Sequence, residues 1–160
     1  MAEDPREAEE ALGRHGEELA SVAEEVLGDW VRRCVHARAG QAGVELSQES
    51  LAATEQAAEL AAGEVGAELR NLLAIDIDQQ RRSPLEVLRT AVRYPTAVLR
   101  HAGVPPAERD EFSVRGFPED DYDLSPASFA DVAPELHEPG IVWGAAKAHL
   151  HMARHRDPLR

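Results

Sequence analysis

Residues 83–106, SPLEVLRTAVRYPTAVLRHAGVPP, constrain the fold most strongly because helix start and stop signals follow one another there at short intervals. Residues 83–86 form an S-P-x-E capping box, which satisfies the free N–H groups of a first helical turn. Pro95 disfavours a helical Tyr94 and predicts a break, after which a second short helix runs to Gly103. Proline-started short helices are therefore expected in this half of the chain.

The apolar composition also favours helices. Hydrophobic residues make up 43% of the 160 residues but aromatic residues only 4%, so that Ala, Leu and Val supply most of the apolar content. The sequence predicts an all-α fold in a single domain, 1–160. We expect a long antiparallel helical hairpin over 3–80, with a core of several short helices over 81–160 packed against it.

The first helix is predicted from residue 3 to about residue 36, with a loop near 39–46. Asp4 is a suitable N-cap and Pro5 suits the first helical position. Apolar residues then recur at helical spacing along one stripe: Leu12, Leu19, Val22, Val26, Trp30 and Cys34.

The second helix is predicted to begin after Ser47 or Ser50 and to run to about residue 80. One face carries Leu51, Ala58, Ala61, Val65, Leu69 and Leu72. Ala58, Ala62 and Gly66 form a row of small side chains that allows another helix to approach closely, either in the hairpin or in a homodimer. The closing segment AIDIDQQRR alternates apolar and acidic residues, so a short strand is a second interpretation.

Similar helix signals occur in the later segments. AERDEF, residues 107–112, predicts one or two helical turns, and Ser125-Pro126 predicts the start of a short helix over 129–132. A final helix over 140–155 is expected to dock through one stripe and to expose a cationic one. The first stripe is Ile141, Ala145, Ala148 and Met152, and the second is Lys147, His151, Arg154 and His155. Six of the seven aromatic residues follow residue 93, so the best-defined core is expected in the second half.

Charge and targeting signals exclude several classes of function. Seventeen basic residues against thirty acidic ones give a formal net charge of −13, which opposes binding to nucleic-acid phosphates. No apolar run is long enough to span a bilayer, and the first residues, MAEDPREAEE, lack the pattern of a secretory signal. With Cys34 as the single cysteine, these features predict a cytoplasmic protein.

Basic residues concentrate between residues 81 and 101, where five arginines accompany Glu86 as the single acidic residue. One interpretation is internal, with these arginines paired to the acidic segment 119–123. The other is a partner site in which an apolar groove receives an acidic helix or peptide. The predicted partner-binding residues are Arg89, Arg93, Arg100 and Tyr94.

The alternative function is that of a helical protein that binds a small molecule or a metal, an enzyme included. Its pocket would be lined by Tyr94, His137, Trp143 and His149, with Arg93 nearby. A metal would be held by His151 and His155, which are four residues apart on one helical face. Helix-end carbonyls already explain cations at these positions, and no HExxH frame is present.

Other reactive groups have structural explanations. Asp76 and Asp78 are two residues apart, so they point to different sides of a helix and favour capping or pairing with Arg81 and Arg82. Cys34 lies on the apolar stripe and is expected to be a buried, inert thiol. Neither a phosphate-binding loop nor a nucleophile elbow is present. The sequence predicts no catalytic residue and no cofactor.

Two blocks, YPTAVLRHAGVPP with the following ERDEF, and FADVAPELHEPGIVWGAAKAHLH, resemble a family of small acidic bacterial proteins of unassigned function. The resemblance covers roughly residues 72–155 and implies no activity or site residue. The function expected from the sequence is therefore that of a non-enzymatic cytoplasmic interaction or regulatory protein, with residues 81–106 as the partner site.

Overall fold

The computed structural model describes residues 4–107 and 120–155, and within these residues every regular element is helical, which confirms the all-α prediction. In this described part of the chain, three short 3₁₀ helices, Ile77–Gln79, Thr90–Val92 and Pro134–Leu136, accompany six α-helices. The α-helices are α1 (Pro5–Gln41), α2 (Gln48–Ala74), α3 (Pro84–Arg89), α4 (Arg93–His101), α5 (Phe129–Val132) and α6 (His137–Arg154). None of the described helices is long and apolar enough to cross a membrane.

The long helix α1 begins where its capping residues predict. The Asp4 carboxylate accepts a hydrogen bond from the backbone N–H of Arg6 at 3.0 Å, and Pro5 is the first helical residue. The helix continues past residue 36 to Gln41, because an exposed glycine at position 40 weakens a helix without ending it. Two residues after the helix, Gly43 has a φ of +69°, a backbone conformation that favours glycine.

Helices α1 and α2 form the predicted hairpin through small residues. A Cβ built on Gly28 of α1 would lie 3.4 Å from the backbone oxygen of Ala58, and Ala58 is fully buried. Gly66 faces Glu24 of α1 so closely that a Cβ would lie 2.7 Å from its Cγ. Ala58 and Gly66 of this row therefore serve contacts within the hairpin.

The buried face of α1 is wider than its predicted stripe. Leu12, Leu19 and Trp30 are buried as expected, whereas Val22, Val26 and Cys34 are only half-buried. Because α1 packs against α2 on one side and α4 and α6 on others, a second row is fully enclosed: Ala20, Ala23, Leu27, Val31 and Val35. Among the described residues, the largest fully buried side chains are shared between the hairpin and the later elements, so one core is common to both halves: Leu19, Leu27, Val31, Val35, Val65 and Leu69 in the hairpin, and Val87, Leu88, Leu99, Tyr122, Leu136 and Leu150 after it.

Helices α3 and α4 follow the start signals but not the predicted break. The Ser83 hydroxyl accepts a hydrogen bond from the N–H of Glu86 at 3.2 Å, as the capping box predicts. Helix α4 begins at Arg93, two residues before the predicted start, and includes Tyr94. Pro95 is tolerated because it lies in the first turn, where an N–H has no helical partner.

The segment before α5 is organised by Asp120. Its carboxylate is 4% exposed and accepts hydrogen bonds from the N–H groups of Leu124 at 2.8 Å and Ser125 at 2.7 Å. Ser125 is therefore not a helix cap. The carboxylate of Asp131 instead accepts from Ser128 N–H at 3.0 Å and fixes the start of α5. The turns expected over 107–112 lie almost entirely outside the described residues, which exclude 108–119.

Helix α6 docks through a different face from the predicted one. Its buried residues are Gly140, Trp143 and Leu150, whereas Ile141 and Met152 are 56% and 68% exposed. Ala145 and Ala148 are exposed as well, so the predicted docking stripe is wrong. Both faces of this Ala- and Gly-rich helix are apolar, and the large indole of Trp143 decides which one is buried.

Candidate functional site: a groove between α2 and α4

An open groove of about 540 Å³ runs between α2 and α4. Leu60 contributes to its apolar lining with 44% of its surface exposed, although it is a large aliphatic residue. The lining comes entirely from these two helices: Ala53, Gln56, Ala57, Leu60, Glu64, Arg93, Tyr94, Ala97, Val98 and His101. Residues spaced three and four apart on each helix form its walls, and the alanines between them keep the floor open.

Tyr94 closes one end of the groove by joining the two helices. Its hydroxyl donates a short hydrogen bond to the carboxylate of Glu64 and accepts one from Nη2 of Arg93 at 3.0 Å. Burial and the hydrogen bond to Glu64 raise the pKa of Tyr94, so the phenol stays protonated and donating. The hydrogen bond to Tyr94 raises the pKa of Arg93, which remains a cation at this end of the groove.

The guanidinium of Arg93 remains accessible to a ligand. Its side chain is 58% exposed, it lies 3.8 Å from the carboxylate of Glu64, and it sits 4.9 Å from the centroid of the Tyr94 ring. At the opposite end, His101 Nε2 lies 3.5 Å from the Glu49 carboxylate. The groove thus has an apolar centre with polar groups at both ends.

The other two arginines of the predicted partner site make contacts within the chain. Arg100 Nη2 pairs with the Asp121 carboxylate at 2.5 Å, and Arg89 Nε donates to the backbone oxygen of Pro126 at 2.9 Å. These bonds tie residues 120–126 to α3 and α4, which is the internal interpretation of the basic stretch. Part of the predicted acidic segment, Glu119, lies outside the described residues.

A second cleft, of about 790 Å³, lies on the side of α4 that faces residues 120–125. It is lined by Arg89, Arg93 and Arg100 together with Asp120 and Asp121. The cations and carboxylates of this cleft bind each other or the backbone. Salt bridges and hydrogen bonds within the chain therefore join its two sides.

The residues of the predicted ligand pocket lie in different places. Tyr94 lines the α2–α4 groove, to which His137, Trp143 and His149 do not contribute. Trp143 is buried against α1, where a Cβ built on Gly16 would lie 3.6 Å from the indole Nε1. His137 and His149 are exposed on α6. The structure therefore does not bring these four side chains into the α2–α4 groove.

The predicted metal residues His151 and His155 do lie together, with ring centroids 4.3 Å apart. Asp78, from the 3₁₀ helix after α2, joins them: its Oδ1 lies 3.9 Å from His151 Nδ1 and 3.7 Å from His155 Nε2. Arg154 binds the other oxygen of Asp78 at 3.2 Å and Asp76 Oδ1 at 2.6 Å.

Asp76 caps the 3₁₀ helix Ile77–Gln79, as predicted, by accepting a hydrogen bond from the N–H of Asp78 at 3.1 Å. The cation that binds the carboxylates of Asp76 and Asp78 is different from those predicted. Both carboxylates pair with Arg154 of α6, whereas Arg82 pairs with Glu68 at 2.5 Å. The hydrogen bond from Arg154 holds the pKa of Asp76 below its usual value. Spacing in the sequence does not indicate a contact between residues 78 positions apart.

Leu60 is the residue of the groove that the sequence interpretation did not single out. A signal was present, because Leu60 lies beside the stripe of Ala58, Ala61 and Val65 but does not belong to it. A leucine outside the buried stripe of an amphipathic helix marks an apolar group that the hairpin does not cover.

Comparisons with known proteins add no relative to this description. No family model, curated protein or solved structure matches the chain.

Proposed function

We propose that this protein is a non-enzymatic interaction protein that binds an amphipathic helix of a protein partner in the α2–α4 groove. The observation that carries the proposal is the exposed side chain of Leu60 over an alanine-lined groove that ends at the accessible guanidinium of Arg93. Grooves of this kind receive helices through aliphatic side chains spaced three and four residues apart.

The dimensions and charges of the groove define the occupant. Its α2 wall extends from Ala53 to Glu64, which corresponds to about 16 Å, or three turns of a partner helix. A carboxylate beside the apolar stripe of the partner would pair with the exposed guanidinium of Arg93, in competition with Glu64 at 3.8 Å. The proposed partner is therefore a helix with a leucine-type stripe bordered by at least one acidic side chain.

The test uses two synthetic helical peptides of about 14 residues. Both carry leucines at helical spacing; one has Glu at the border position and its twin has Lys. Binding to the ¹⁵N-labelled protein is followed by NMR. We expect the Glu peptide to bind more tightly and to shift the amide signals of α2 and α4.

Variants assign the binding to the groove. Leu60→Arg is expected to weaken binding of the Glu peptide at least about tenfold by placing a charge in the apolar centre. Arg93→Gln is expected to abolish the preference for Glu over Lys. Ile141→Arg is the matched control, because Ile141 is an exposed aliphatic residue on α6, outside the groove, and binding should be unchanged.

Three results would contradict the proposal. They are the absence of binding by either peptide below about 1 mM, equal binding to the wild type and the Leu60→Arg variant, and an equal loss in the Ile141→Arg control. A concentration-dependent dimer that Leu60→Arg disrupts would assign the groove to a second copy of this chain and would also overturn the proposed partner.

A further inference from the structure

From the geometry around the end of α6, we infer a binding site for a divalent transition-metal ion formed by Asp78, His151 and His155. Among the described residues, these three form the one group whose ligand atoms all lie within 4.8 Å of one another. The site is distant in sequence from the groove residues and does not depend on the proposed function.

The three side chains come from two elements that α6 docking brings together. His151 and His155 share one face of α6 because they are four residues apart, and Asp78 belongs to the 3₁₀ helix after α2. The carboxylate oxygen lies 3.9 Å and 3.7 Å from the nearest nitrogens of the two imidazoles, too far for hydrogen bonds. The two imidazoles and the carboxylate therefore lie close together but form no hydrogen bonds with one another.

An ion fits between these atoms. Zinc bonds of about 2.1 Å in a tetrahedral site place neighbouring ligand atoms about 3.4 Å apart. The present separations reach that value by shifts of about 1.5 Å or less, which exposed side chains can make by small rotations. His151 would bind through Nδ1 and His155 through Nε2.

Arg154 prepares the carboxylate for this role. Its Nη1 donates to Oδ2 of Asp78 at 3.2 Å, which leaves Oδ1 directed at the imidazoles. Asp76 binds Arg154 at 2.6 Å and Glu9 lies 3.8 Å from it, so two further carboxylates offset the charge of the guanidinium. With neutral imidazoles, the group carries two negative charges in excess, which favours a dication.

The ligand set indicates the class of metal. Two imidazoles and one carboxylate suit zinc, copper, nickel or cobalt, whereas magnesium and calcium prefer oxygen ligands alone. Three protein ligands leave a fourth position, which water would occupy on this exposed surface.

The experiment titrates zinc into tag-free protein that has been treated with a chelator and dialysed, using a chromophoric chelator as competitor. We expect one equivalent to bind. The variants His151→Ala, His155→Ala and Asp78→Asn should each weaken binding at least about tenfold, since even outer-sphere partners are worth that much. Circular dichroism of each variant verifies that the exposed substitutions preserve the helices.

The matched control is His137→Ala, which removes an exposed histidine from α6 outside the cluster and should leave zinc affinity unchanged. Cobalt provides a second readout, because a tetrahedral site with imidazole ligands gives visible absorption bands that His155→Ala should remove. Absence of binding below about 100 μM zinc, or an equal loss in the His137→Ala variant, would overturn the inference.

Discussion

Cys34 lies half-buried on α1, and burial raises the pKa of its thiol to about 12, although the guanidinium groups of Arg33 and Arg38 oppose the shift. The burial of Cys34, and not the cations beside it in the sequence, therefore determines the reactivity of its thiol. The thiol belongs to the core that lines the hairpin and offers little thiolate to any electrophile.

We predict that Cys34 reacts with a disulfide reagent at pH 8 at least about 1000-fold more slowly in the native protein than in the chain unfolded by guanidinium. The unfolded chain supplies the matched control, with a pKa near 8.5. Because the folded-state pKa is the higher one, the stability linked to this thiol is complete below about pH 8.5 and is lost as the pH rises toward 12. A native rate close to that of a free thiol would contradict this account.

At the scale of elements, two glycines of α6 have opposite surroundings. A Cβ on Gly140 would lie 2.3 Å from the ring of Phe129, so this glycine allows α5 to pack against the start of α6. Gly144, one helical turn later, has no atom within 4 Å of the corresponding position. The first is needed for packing, and the second only weakens the helix.

We predict that Gly140→Ala lowers the free energy of unfolding by about 1 to 3 kcal/mol through overpacking. Gly144→Ala is expected to raise it by about 1 kcal/mol, because alanine is the better helix former and nothing obstructs its methyl group. Urea denaturation followed by circular dichroism measures both changes. Equal effects of the two substitutions would show that Phe129 does not pack as described.

Capping signals were more informative than hydrophobic periodicity. Asp4, Ser47 and Ser83 cap helices as predicted because a cap depends on residues within one turn. The docking face of α6 was predicted wrongly because an Ala- and Gly-rich helix has apolar residues on several sides. The contact of Asp78 with His151 and His155 joins elements far apart in the sequence, which local spacing does not determine.

At the scale of the whole molecule, α6 returns to lie along α1. Arg154 reaches Glu9 at 3.8 Å, and the indole of Trp143 packs at Gly16. Trp30 lies fourteen residues beyond Gly16 on the same helix and is 4% exposed. The two tryptophans therefore report on two positions along one long helix.

Because both tryptophans belong to one buried cluster, we predict a single cooperative unfolding transition. In Trp30→Phe, the fluorescence of Trp143 should follow the circular dichroism of that variant, and in Trp143→Phe the signal of Trp30 should do the same. Comparing two probes within each variant avoids the difference in stability between the variants. Loss of the Trp143 signal at lower denaturant than the loss of helix would indicate that α6 detaches first.

Because α6 packs against α1, part of the α1 surface stays exposed until late in the synthesis of the chain. The hairpin is complete once α2 has been made at Ala74, but α6 ends at Arg154, about 80 residues later. At ribosomal rates of about 5 to 20 residues per second, the face of α1 around Gly16 stays exposed for roughly 4 to 16 seconds before α6 can pack on it. The row there, Ala8, Leu12, Gly16 and Ala20, carries one large aliphatic side chain among small residues, which limits the apolar area that a nascent chain exposes during that interval.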